Sequence, residues 1–128
     1  MWEIEIIPDD ATLYYRVHKG YVVDDQLIPG VFKERGEGDN RGMSTDWNKY
    51  STAEEALARS RNPSDNGIVS FFAGKVRNIK DIVVEHAPEP DNQAHSHIKG
   101  IPPKKPMKTR IRRQLLDACK WEIKPESS

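Results

Sequence analysis

His95 and His97 stand two positions apart in the run AHSHIKG. On an extended strand this spacing puts both imidazoles on one face, within reach of a single atom. Two chemistries follow. An HxH pair ligates zinc or another divalent metal when further ligands come from elsewhere in the chain, and His18, Asp81, Glu85 and His86 are of suitable type. No zinc spacing links these residues and no CxxC is present. Imidazole also titrates near neutrality, so the pair could serve as acid and base in hydrolysis or phosphodiester cleavage. The plain alternative is two half-exposed polar residues at a strand end.

Arg16 lies within LYYRVH, a stretch rich in strand-forming residues. Alternation puts Tyr14, Arg16 and His18 on one face and Leu13, Tyr15 and Val17 on the other. An arginine in a cleft needs an anionic partner, either a carboxylate of the chain or a ligand. Downstream, GMSTDW carries Ser44 and Thr45 on a short extended piece, and Glu85 closes the run DIVVE. An enzyme reading assembles Arg16, His18, Ser44, His95 and His97 into a pocket for a nucleotide, a dinucleotide or a phosphodiester. Arg16 would hold phosphate, and the histidines would act as acid and base or as metal ligands.

The third constellation is electrostatic. Lys99, Lys104, Lys105, Lys108, Arg110, Arg112 and Arg113 fall within 15 positions, with no acid among them. Residues 1–93 carry 17 acids and 11 bases, a formal −6, whereas residues 94–128 carry 3 acids and 9 bases, a formal +6. The zero net charge therefore hides a polarised chain, which points to an anionic surface or an acidic protein as partner. Such cations would follow a phosphate backbone and position the protein without reading bases. No helix-turn-helix or RNA-binding signature accompanies them, and few aromatics interleave with them. The alternative is a solvated helix face, or a patch that answers the acidic front of the same molecule.

The elements that must position these groups can be read from periodicity. At 128 residues a single domain is expected, and 36% apolar with 31% charged residues implies a thin core and long loops. Trp2–Ile7 alternates as a strand with one wet face. Thr12–His18, Ile68–Ala73, Asp81–Glu85, Ala94–Ile98 and Trp121–Ile123 read as further strands. Ser51 and Glu54 form a capping box for a short helix through about Arg59, with Ala53, Ala56 and Leu57 inward. Met107–Ala118 is the best helix, with Ile111, Leu115, Leu116 and Cys119 on one stripe and Lys104, Lys108 and Arg112 on an outer line. The charged segment 34–41 is expected to be mobile, and the Pro/Lys-rich segment 99–106 to be a loop. The sum is an α+β fold: one compact domain, a mainly antiparallel sheet of about five to seven short strands, and two or three helices, the longest near the C-terminus.

Trp47 and Tyr50 could stack on a ligand ring or close the edge of the core. Asp24-Asp25 and Asp39-Asn40 lack the pattern of a calcium loop. Cys119 has no partner for an internal disulfide and no catalytic motif around it, so a buried small hydrophobe in a reducing cytoplasm is expected. The sequence holds no long apolar run, and its first residues lack the features of a secretory signal.

Two resemblances add to this reading. The order LYYRVH, VFKERGEGDNRGMSTD, VVEHAPEPDNQAHSHIKG and a closing helix with WEIKP resembles a group of short bacterial proteins without assigned activity. That likeness implies a bacterial or phage-borne cytoplasmic protein and transfers no catalytic residue. The order of Arg16, the Ser44-Thr45 strand and Glu85 resembles the Arg, Ser-Thr-Ser and Glu elements of mono-ADP-ribosyltransferases. It implies that Arg16 holds the phosphates of NAD, that the strand at Ser44 shapes a nicotinamide pocket and that Glu85 helps transfer. The chain departs from that family in having STD for the triplet and a single glutamate in VEH.

The leading expectation is a small binding protein that contacts nucleic acid or another phosphate-rich partner through its basic C-terminal helix. The enzyme reading is its rival. A third reading, a small partner or inhibitor of a larger protein, needs only the two unequal faces.

Overall fold

A computed structural model describes residues 2–126. The chain forms β1 (Thr12–His18), β2 (Val22–Val23), β3 (Gln26–Leu27), β4 (Met43–Trp47), α1 (Ala53–Ala58), β5 (Asn66–Phe72), α2 (Ala73–Arg77), β6 (Val83–His86), β7 (His95–Lys99), α3 (Met107–Ala118) and β8 (Lys120–Ile123). Six strands make one antiparallel sheet in the order β6-β7-β4-β1-β5-β8, and β2 and β3 pair as a separate hairpin. This is the α+β class expected, with the longest helix near the C-terminus.

The two faces of the sheet are built differently. Leu13, Tyr15 and Val17 alternate with less buried neighbours along β1, of which Arg16 and His18 are exposed, and their cross-strand partners Trp47, Val69 and Phe71 are buried beside them. Ile111 and Leu115 of α3 and Val31 and Phe32 of the turn before β4 close this core. Phe32 meets Tyr15 and Phe71 with ring centroids 5.8 Å apart in each case, and the Tyr15 hydroxyl donates to the Val31 carbonyl at 2.7 Å. A buried hydroxyl satisfied in this way adds aromatic area without an orphaned polar group.

On the opposite face α1 covers only the β1-β5-β8 half. Its Ala53 and Ala56 pack with Ile68, flanked by Tyr14, Leu57 and Ile123. Among the described residues no helix covers the β4-β7-β6 half of that face.

Local differences from the sequence reading have local causes. Trp2–Ile7 is not a strand: the Glu5 amide donates to Nδ1 of His86 at 3.0 Å, where a ladder would need a strand carbonyl. The Glu5 carboxylate is held by Lys49 at 2.5 Å and by the Tyr50 hydroxyl, which lowers its pKa, the Lys49 contact first. The capping box is one residue later than expected. Thr52 accepts from the Glu55 amide at 3.1 Å, and Glu55 accepts from the Thr52 amide at 3.0 Å. Ser51 fits the same pattern, but its hydroxyl donates to the Thr52 carbonyl and accepts from Arg59. β6 starts at Val83 because Asp81 has φ 66° and lies against Gly100, φ 113°, where a Cβ would stand 2.0 Å from the Asp81 carbonyl oxygen.

Candidate active site

Register brings the chemistry-bearing residues together. Glu85 pairs with His97 across β6 and β7, and His97 pairs with Ser44 across β7 and β4. Tyr14 lies opposite Asp46, a register that carries Arg16 to the level of Ser44 on the same face. Glu85, His97, Ser44 and Arg16 thus form one row across four adjacent strands. Strands are spaced about 4.8 Å apart, so Arg16 stands roughly 10 Å from His97 along the row. His95, opposite Asp46, lies in the next row of the same face.

Over the uncovered half of this face runs a groove of about 750 Å3. Its floor is Ser44, His95, His97 and Glu85, and residues 35–40 and 86–89 form its walls, with Trp2 and Ile4 at one side. Of the residues singled out in the sequence, Ser44, Glu85, His95 and His97 meet here. Arg16 shares their face and is exposed, but it is not among the groove's lining residues. His18 lines a separate hollow with Lys19, Asp24 and Trp121, and its Nδ1 accepts from the Gly20 amide at 2.9 Å.

The hydrogen bonds fix the state of His95. Its Nδ1 lies 2.8 Å from the Ala87 carbonyl oxygen, which can only accept, so Nδ1 carries a proton. In the neutral ring Nε2 is then an acceptor, and the Ser44 hydroxyl lies 3.2 Å away to donate to it. A hydroxyl, a base and a group that orients the base make the arrangement that activates a nucleophile or a water. Glu89 Oε1 stands 4.0 Å from the same Nε2.

His97 completes the floor. Its ring meets that of His95 edge to face, with centroids 4.9 Å apart. It is 5% exposed, and its Nδ1 is buried without a hydrogen-bond partner among the described residues. The nearest carboxylate oxygen, Glu85 Oε1, is 3.8 Å away, too long for a hydrogen bond. Burial first, then the neighbouring His95 and Lys99, hold the His97 pKa below its ordinary value. A buried ring nitrogen with a shifted pKa in a residue that lines a groove is of the kind found at functional sites. Lys99 is not a free cation: it pairs with Glu85 Oε1 at 2.5 Å and donates to the Asp39 carbonyl at 2.5 Å. This second contact, with the Arg35–Gly42 bridge, ties segment 34–41 to the rim of the groove.

The two histidines gain no third ligand: among the described residues no group of three or more His, Cys, Asp or Glu side chains is disposed to hold a metal ion. His86, of the right type for ligation, faces the other way. Its Nε2 meets the Gln93 carbonyl at 2.7 Å and its Nδ1 accepts from Glu5, so it is a structural pin beside Trp47 and Tyr50. Trp47 and Tyr50 pack edge to face with each other and belong to the core and its margin.

The basic run divides. Lys104, Lys105, Arg110 and Arg113 are exposed. Lys108 and Arg112 do not continue an outer line from Lys104. They are half-buried on a flank of α3 set by Ile111 and Leu115 facing the core, and Arg112 donates from Nε to the Phe32 carbonyl at 2.9 Å. None of these six cations lies within ion-pair distance of a carboxylate among the described residues.

Sequence reasoning missed Arg35 and the turn at 87–89, and it read Asn40 only as a poor cation ligand and His86 only as a possible metal ligand. Arg35 sits at the groove because its amide and carbonyl exchange 2.9 Å hydrogen bonds with Gly42. The only signal was the glycine-bearing ERGEGDNR loop directly before the Ser44 strand.

No family model, curated protein or solved structure matches the chain.

Proposed function

We propose that this protein is an enzyme that cleaves the N-glycosidic bond of an NAD-like dinucleotide and transfers the ADP-ribosyl group to water or another nucleophile. The observation that carries this reading is the single row of Glu85, His97, Ser44 and Arg16 on one face of the sheet. It holds Arg16, Ser44 and Glu85, three of the residues on which the resemblance to mono-ADP-ribosyltransferases rests, while Thr45 lies buried on the other face. The surroundings carry both signs of charge, as such a substrate does. Arg16 and Arg35 suit the pyrophosphate. Glu85 and Glu89 suit the positive charge that develops on the ribose carbon as nicotinamide departs.

In the proposed step the bond between the ribose C1′ and the pyridinium nitrogen breaks, and its electron pair leaves with neutral nicotinamide. A nucleophile oxygen bonds to C1′ and loses its proton to His95 or His97. With water the products are ADP-ribose, nicotinamide and one proton, which balances. Lys99 orients the Glu85 carboxylate, and Ser44 and Ala87 orient His95.

Chromatographic detection of nicotinamide after incubation with NAD tests the reading. Release is expected, and it should fall at least about a hundredfold in Arg16→Ala or Glu85→Gln. Intact NAD together with no saturable NAD binding would sink it.

The six cations without carboxylate partners favour a second reading, contact with a polyanion. Affinity for single-stranded DNA should then fall steeply with salt and should drop when Lys104, Lys105, Arg110 and Arg113 become glutamine. Equal binding by that variant removes this reading.

A further inference from the structure

We infer that a hollow between α3 and the loops on either side of Glu34 and Gly100 binds a compact phosphate ligand, such as pyrophosphate or a phosphate monoester. The hollow is distinct from the groove of the histidines and encloses about 740 Å3. Four cations line it: Lys33 and Arg41 from the acidic front of the chain, and Lys108 and Arg112 from the basic tail. Two carboxylates, Glu34 and Asp81, also line it, and neither forms an ion pair with any of the four among the described residues. Glu34 is tied to the wall of the hollow, its Oε2 accepting from the amide of Ile101, another lining residue, at 2.9 Å.

Four cations against two carboxylates leave the lining of this hollow with a surplus of positive charge, which an anion would relieve. The fold nevertheless fixes two of the cations. Arg112 is held through Nε by the Phe32 carbonyl, which leaves its terminal nitrogens free for a ligand. Lys33 rests on the Tyr21 ring, its Nζ 2.6 Å from the hydroxyl oxygen. Pro102, Pro103 and the positive-φ Gly100 form a stiff wall, so little ordering is needed when a ligand enters. The geometry suits a small, highly charged group, where a long strand would need an open track. The inference thus narrows the polyanion reading, and rests on it only for the sign of the ligand's charge.

Isothermal titration of the full chain with inorganic pyrophosphate tests it. Saturable binding is expected. It should weaken at least about tenfold, the loss of one charge-assisted contact, in Arg41→Gln/Lys108→Gln and in Lys33→Gln. It should persist when the four outward cations Lys104, Lys105, Arg110 and Arg113 are changed to glutamine. No saturable binding, or an equal loss in the outward variant, overturns the site. A short oligothymidylate separates the two ideas. If it binds through the outward cations while pyrophosphate does not bind, the polyanion reading stands and the hollow is refuted.

Discussion

Gly42 passes directly beneath His97: a Cβ at residue 42 would stand 2.9 Å from both Cβ and Cγ of the histidine. Those atoms are at the root of the side chain and cannot swing aside as a flexible tip would. The glycine just before the Ser44 strand therefore leaves room for the His97 side chain beside His95. Gly42→Ala should displace the ring and destabilise the fold by about 1–3 kcal/mol, the usual cost of an overpacked methyl group. Urea denaturation and the His97 ring resonances check this. An unchanged midpoint with unshifted resonances would refute the packing argument.

Ser44 and His86 make a contrasting pair. Ser44→Ala removes the hydroxyl but leaves His95 held by the Ala87 carbonyl. The expected result is a turnover number lowered by about tenfold, the loss of one of the two hydrogen bonds that orient His95, with KM and stability close to parental values. His86→Leu instead orphans the Glu5 amide and the Gln93 carbonyl. It should cost about 1–3 kcal/mol of stability. Steady-state kinetics on NAD, paired with thermal melts, separate the two effects.

The buried His97 links stability to pH. Its folded pKa lies below the ordinary 6.5, so the unfolded chain takes up this proton first as pH falls. Its influence is therefore absent above about 6.5 and destabilises the fold as pH drops through that value toward the lower folded pKa. For one proton the slope is at most about 1.4 kcal/mol per pH unit. His97→Gln should flatten stability against pH just below about 6.5. An identical slope in the variant would show that another group is responsible.

What the sequence made legible was local. Alternation in LYYRVH revealed a strand and its two faces, and the two-residue spacing of His95 and His97 placed both rings on one side. The same logic misled at Trp2–Ile7, because alternation says which side chains share a face but not whether a partner strand exists. The row of Glu85, His97, Ser44 and Arg16 was hidden for a different reason. It depends on the pairing registers of four strands between residues 12 and 99, and each register is set by core contacts far apart in sequence. Arg35 was overlooked because a glycine-rich charged loop carries no periodicity. Only its bridge to Gly42 brings it to the groove.

Cys119 offers a final check on which groups can react. It follows the last turn of α3, and its thiol donates to the Leu116 carbonyl at 3.3 Å. Burial pushes its pKa up to about 11. The reactive species is the thiolate, so at pH 7.5 only about one part in a few thousand is available, against roughly a tenth for an ordinary exposed thiol. A colorimetric disulfide reagent should therefore label the native protein at least about a hundredfold more slowly than the urea-unfolded chain. Cys119→Ser should leave the turnover of NAD within about twofold of the parent, because the thiol lies at the far end of the sheet's order, beside β8, while the groove spans β4, β7 and β6. Rapid labelling of the native chain, coupled to loss of turnover, would move the chemistry away from Ser44 and His95 and toward this thiol.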